Sequence, residues 1–122
     1  MSILYKELSY KIIGCAMEVH KTLGPGFLEK VYENSLMVLF EKNRIHSKQQ
    51  FPIPVYFNEV VVGDYFADIL VDEKIILELK TVEKITDIHR AQALNYLKAT
   101  NLRLAIIINF KSESMQYERM IL

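Results

Sequence analysis

A single cysteine in 122 residues, Cys15, excludes an internal disulfide and a cysteine-built zinc cluster, and points to a reducing, cytoplasmic setting. Net charge is missing as well: 15 basic and 15 acidic side chains cancel, so no global field draws the chain towards nucleic acid or an anionic membrane. This counts against a tight, nonspecific binder of polyanions. It counts less against an enzyme whose acidic metal site offsets a basic groove. No apolar run approaches membrane-spanning length, the first residues are polar and amphipathic rather than a signal peptide, and no membrane partner is expected. Repeats, low-complexity tracts and linker-like stretches are absent too. What is there is 51% hydrophobic, enough for a real core but too short for two, so residues 1–122 read as one domain.

Leu4, Leu8, Ile12, Cys15, Ala16, Val19 and Leu23 recur at helical spacing, and Gly24-Pro25-Gly26 ends that amphipathic helix. Cys15 lies on the packing stripe and reads as core. Glu18 and His20 either approach a site from this helix or are a solvated charge and a capping or surface histidine. A second helix is expected from near Phe27 to about Lys42, with Phe27, Leu28, Val31, Tyr32, Leu36, Leu39 and Phe40 as its apolar positions. Gly26, Glu29 and Tyr32 are three apart and lie along one side of it. Glu29 is either a site acid or an acid that the helix dipole favours in the first turn. Tyr32 reads as a core aromatic with its hydroxyl hydrogen-bonded.

Phe51, Ile53, Val55 and Phe57 alternate, with Pro52 and Pro54 between them. Proline cannot donate to a ladder, so this strand belongs at a sheet edge. Asn58-Glu59 turns the chain into a second strand, Val60 to Val71, with an irregularity at Gly63-Asp64, and Ile75 to Lys80 forms a third. Thr86-Asp87 offers a cap for a helix reaching about Thr100, on which His89, Gln92 and Tyr96 form one polar seam. Asn101 ends it. Leu104 to Ile108 is an unbroken apolar run, the mark of a strand buried on both faces, and Met115 to Leu122 adds a last edge strand. This order predicts an α/β fold, a mixed central β-sheet flanked by helices. Short turns make the first three strands an antiparallel meander, and the strand after the third helix returns parallel to a neighbour.

The chain is organised around Tyr65 to Lys80, two apolar strands joined at Asp72-Glu73-Lys74 and interrupted by Asp68, Glu78 and Lys80. Charges set in strands this apolar need partners. Glu78 and Lys80 share one face by alternation. Two carboxylates about 4 Å apart repel by roughly 4 kcal/mol at an effective dielectric near 20, a repulsion that a divalent cation reverses. Asp68 joins Glu78 only if the turn has the right parity. A two-residue turn pairs Val71 with Lys74 and sends the acids to opposite faces; a three-residue loop or one bulge brings them together, and this is the expectation.

Asp68, nine residues, then Glu78-x-Lys80 resembles the signature of the PD-(D/E)XK nuclease superfamily. Gly26-Phe-Leu-Glu29-Lys-Val-Tyr32 matches the motif that names its GxxExxY family. His89-Arg-Ala-Gln92-Ala-Leu-Asn-Tyr96-Leu is similar to the glutamine-bearing helix that follows the ExK strand in many of these nucleases. The resemblance runs from about Ile12 to Phe110, with the motifs in the expected order. It implies a restriction-endonuclease-like core and metal-dependent hydrolysis of phosphodiester bonds in nucleic acid, DNA before RNA. On this resemblance Asp68, Glu78 and the carbonyl of Leu79 hold Mg²⁺, with Mn²⁺ as a substitute, since hard cations prefer oxygen donors. Glu29 is then the helix acid for a second ion, Lys80 acts on the water or the developing charge, and Gln92 orients the lysine, a water or a phosphate. Lys84, Arg90 and Lys98 are either phosphate contacts or a solvated face. Lys111 departs from the family, because a glycine is usual after Asn109-Phe110, and the last turn is left open.

Two other readings stand beside the nuclease. One is a module that keeps the fold and binds nucleic acid without cutting it. The other is a structural interaction domain, homodimeric through its apolar helices. The complete set of Asp68, Glu78 and Lys80 favours the enzyme, whereas the zero net charge favours the module or a nuclease that acts with a partner.

Overall fold

The computed structural model describes residues 3–122. The helical stripe of the first segment forms α1 (Lys6–Leu23), which buries Ile12, Ile13, Ala16 and Val19. Gly24 and Gly26 end it with φ of 73° and 111°, values that glycine adopts without steric cost. α2 (Glu29–Lys42) starts two residues later than Phe27, because Leu28 is still extended and serves as the N-cap. Phe27, Leu28 and Val31 are consequently not core positions; Leu28 is 77% exposed. The cause is Tyr32, which is fully buried and stacked on Phe110 with ring centroids 4.3 Å apart. Its hydroxyl donates to the Gly24 carbonyl at 2.6 Å and accepts from the Phe27 amide at 3.3 Å, holding residues 24–28 as a turn. Tyr32→Phe keeps the ring and strands both backbone groups. It is expected to lower stability by about 1–3 kcal/mol, read as a lower urea midpoint at constant slope. An unchanged midpoint would mean that the glycine turn holds without the hydroxyl.

The remaining elements are β1 (Ser47–Phe57), β2 (Val60–Val71), β3 (Ile75–Lys80), α3 (Asp87–Thr100), β4 (Leu104–Asn109) and β5 (Gln116–Ile121). The sheet order is β1-β2-β3-β4-β5, with the proline-bearing β1 at one edge and β5 at the other. β1, β2 and β3 form the antiparallel meander, β4 runs parallel to β3, and β5 is antiparallel to β4. The irregularity near Gly63 is a bulge: Val55 pairs with Gly63 and Tyr56 with Val61, leaving Val62 over. Asn101 ends α3 in the left-handed region. Lys111 keeps a negative φ, so the last turn needs no glycine.

Helices cover both faces. α1 and α2 pack on Ile69, Val71, Ile75, Leu77, Leu79, Ile106 and Ile108, whereas Ala93, Tyr96 and Leu97 of α3 pack with Leu70, Ile76, Ala105 and Ile107. Every residue of β4 is buried, as an unbroken apolar run between two layers requires. Fully burying one such side chain contributes about 1.5–3 kcal/mol. Cys15 is buried, and burial, with Glu18 adding, pushes its thiol up. His20 is neither a surface group nor part of a cleft. It is buried against Phe110, and its Nε2 lies 2.7 Å from the Ser112 carbonyl, tying α1 to the β4–β5 turn. No helix among the described residues is long and apolar enough to cross a membrane.

Candidate active site

The loop between β2 and β3 decides whether the two acids meet. Asp72 and Glu73 are both left-handed, the Lys74 amide donates to the Val71 carbonyl at 2.9 Å, and Val71 pairs with Ile75. Lys74 is therefore a third loop residue. This odd parity sets Asp68 across from Glu78, one position beyond the last ladder pair, Ile69 with Leu77.

Asp68 has lost its ladder partners on both sides. Towards β1 the register passes from Gln49–Ile69 to Phe51–Ala67, and Gln50 between them adopts a φ of 51°. That conformation is uncommon for a residue with a side chain, and it lifts Gln50 out of the ladder. Carboxylates stand in for the missing carbonyls. The Asp68 amide donates to Glu78 Oε2 at 3.0 Å, and the Leu79 amide donates to Asp68 Oδ2 at 2.7 Å. Beyond this crossing β2 pairs only with β1, while β3 continues alongside β4. The divergence opens a cleft of about 450 Å³.

Asp68, Glu78, Leu79, Lys80, Glu29 and Gln92 all line that cleft, with Thr81, His89 and Tyr96 beside them. Glu29 comes from the first turn of α2 and is anchored by Thr81, whose hydroxyl donates to Glu29 Oε1 at 2.7 Å. It stands apart from the Asp68–Glu78 pair: among the described residues no three His, Cys, Asp or Glu side chains gather closely enough to hold an ion by themselves. Lys80, half-buried at the end of β3, forms no ion pair among the described residues.

Burial dominates the electrostatics. Glu78 is 5% exposed. Desolvation, with the Asp68 charge adding, pushes its carboxyl up to about 8, although the Asp68 amide and Lys80 pull the other way. Desolvation also raises Asp68, opposed by the Leu79 amide. Gln92 Nε2 donates to the Tyr96 hydroxyl at 3.0 Å. Burial and the nearby carboxylates push that phenol up to about 12, so it stays neutral. His89 has a second duty: the Thr86 amide donates to its Nδ1 at 3.0 Å, which helps cap α3 and leaves the ring proton on Nε2. Burial, then Lys80 and Arg90, push its imidazole down. Arg90 is engaged elsewhere, paired with Glu118 and Asp87 at 2.7 Å each. Lys84 and Lys98 are exposed.

Sequence reasoning passed over Glu33. It is 2% exposed and accepts from Lys30 at 3.0 Å, Gln49 at 2.7 Å and Gln50 at 3.0 Å. Its charge bears on Asp68 and Glu78, raising both. A signal was present: Glu29, Glu33, Leu36 and Phe40 fall on one helical stripe, so α2 carries two acids on a line that continues into core.

A family model described as the PD-(D/E)XK nuclease superfamily matches residues 6–120. Among solved structures, the crystal structure of SSO0001 superposes with a TM-score of 0.60 at 16% sequence identity, covering 75% of this chain and 48% of that one. The likeness is one of fold, and the chain spans about half the length of that protein. No curated protein matches the sequence.

Proposed function

This chain belongs to the PD-(D/E)XK nuclease superfamily, and we propose that residues 1–122 form one domain of its GxxExxY family that hydrolyses phosphodiester bonds in DNA with Mg²⁺, or Mn²⁺ as a substitute. The observation that carries the reading is the crossing of Asp68 and Glu78 at the point where the sheet splits, with Lys80 and Gln92 on the same cleft. Nucleases of this superfamily generally use divalent metals. The donor set suits a hard cation: burial raises the carboxyls of Glu78 and of half-buried Asp68, the Asp68 charge raises Glu78 further, and a positive charge beside them offsets that cost.

Asp68 and Glu78, with the carbonyl of Leu79, would hold the ion, and Glu29 supplies a further carboxylate at Thr81 for a second. When bound, a divalent ion polarises a phosphate oxygen and lowers the pKa of water. A bound cation would favour the ionised form of Glu78, offsetting the burial and the Asp68 charge that raise its carboxyl. Lys80, unpaired and on the face of Glu78, stabilises the negative charge that builds on the phosphate. Gln92 lines the cleft with its NH₂ held by Tyr96, which leaves its side-chain carbonyl free to accept from the Lys80 ammonium or a water.

The deciding assay incubates the protein with single- and double-stranded DNA and RNA in Mg²⁺, Mn²⁺ or EDTA. A variant carrying Asp68→Asn with Lys80→Ala, purified identically, exposes contaminating nuclease. Cleavage is expected only from the parent, only with metal, and on DNA above RNA. Equal cutting by parent and double variant would leave the non-catalytic nucleic-acid-binding module in its place.

A further inference from the structure

The cleft does not end at Gln92 and Tyr96. Behind these two residues, which line both spaces, a larger groove of about 810 Å³ runs between the β1–β2 hairpin and α3. Its size lies within the ~300–1,000 Å³ of ligand sites. The hairpin contributes Tyr56 and Tyr65, which are 62% and 48% exposed. The Tyr65 ring lies 5.8 Å from that of Tyr96, so the aromatic wall is continuous with the candidate active site. Pro54, Val55, Ile88 and Ala91 supply apolar surface, and Lys98 is the one charged residue on the lining. No carboxylate faces the groove, in contrast to the neighbouring cleft.

We propose that this groove binds single-stranded DNA, stacking its bases on Tyr56 and Tyr65 and leading the backbone past Tyr96 to Asp68, Glu78 and Lys80. The inference rests on the nuclease reading and names its substrate class. Base faces are hidden in a duplex, and only a single strand can offer them to rings set inside a groove. Stacking is worth about 1–3 kcal/mol per base and tolerates any sequence. It also answers the charge question: a chain with no net charge gains little from long-range attraction to phosphates and draws its affinity from contact. Lys98 meets the backbone at the rim.

The test compares the parent chain of residues 1–122 with a Tyr56→Ala, Tyr65→Ala double variant, and with Tyr56→Phe, Tyr65→Phe, which keeps the rings. Fluorescence anisotropy in EDTA reads binding of a short labelled single strand, its duplex and its RNA counterpart. Quenching of an inserted 2-aminopurine reads stacking. The parent is expected to prefer the single strand of DNA, the alanine variant to bind it at least about tenfold more weakly with loss of quenching, and the phenylalanine variant to match the parent. Circular dichroism checks that each is folded. If the parent binds or cuts nucleic acid and the alanine variant does so equally, the groove proposal alone fails. Tighter binding of duplex or of RNA overturns it, and so does a parent dimer, seen by sedimentation, that the alanine substitutions break, since a second copy then occupies the groove. A parent that neither binds nor cuts any nucleic acid removes the nuclease reading and the groove with it.

Discussion

Lys80→Ala is expected to lower phosphodiester cleavage by a factor on the order of a hundred or more while leaving Mg²⁺ binding close to that of the parent. The split follows from what the side chain can and cannot do. An ammonium is not a metal ligand, and its removal takes a repulsion away from an incoming cation. It is, however, the one lysine or arginine lining the cleft, and it forms no ion pair among the described residues; the loss of one preorganised electrostatic contact is worth about 10²–10³ in rate. Lys80 also pulls down the pKa of Asp68 and Glu78, so without it protons compete harder for the carboxylates. Calorimetric titration should therefore be run above pH 8, where that competition is weakest, beside single-turnover cleavage. Glu78→Ala deletes a ligand and is expected to lose binding and cleavage together. Should Lys80→Ala cut normally, or lose metal as completely as Glu78→Ala, its assignment to the transition state is wrong.

The second large effect is on stability. Glu78 is raised from 4.5 to about 8 in the folded chain, chiefly by burial. A carboxyl whose folded pKa lies above its unfolded value binds its proton more tightly in the native state. The stability tied to that proton is fully present below about pH 4.5 and is lost as the pH climbs through about 8. The metal-free parent should thus lose about 1.4 kcal/mol per pH unit over that window, and Asp68, also raised, acts in the same direction. His89 opposes this from below. Its depressed imidazole removes stability as the pH falls through 6.5 and under, so the parent alone is a blurred reporter. Glu78→Gln sharpens it, because the amide oxygen can still accept from Asp68 and the side chain never ionises. Melting curves in EDTA are expected to coincide near pH 5 and to separate by on the order of 10 °C near pH 8.5, with the glutamine variant higher. Mg²⁺ should close the gap by stabilising the parent and not the variant. Identical curves at both pH values would show that the buried carboxylate carries no such cost.

Much of this was legible in advance for one reason: local rules act over a turn or a strand. Pro52 and Pro54 send β1 to an edge because a missing amide cannot join a ladder wherever the strand is placed. Period-two alternation puts Glu78 and Lys80 on one face in any sheet, and the apolar run of β4 demands two covered faces. Even the parity question at Asp72-Glu73-Lys74 could be posed from residues alone.

Its answer required the structure, since two left-handed residues followed by Lys74 are one of several turns the same residues allow. The contacts that make the cleft also come from far along the chain. Gln50 leaves the ladder opposite Asp68, and Thr81 holds Glu29 across 52 positions. Arg90 is claimed by Glu118, 28 positions away, and His20 by Ser112, 92 away. Glu33 could be placed on a core stripe by spacing, but that it is buried among Lys30, Gln49 and Gln50 depends on how β1 lies against α2. Residue types and spacing determined which side chains could form a charged site in an apolar sheet. Only the packed chain decided how deeply Glu78 is buried, and that burial sets its charge, because desolvation is a property of surroundings and not of sequence.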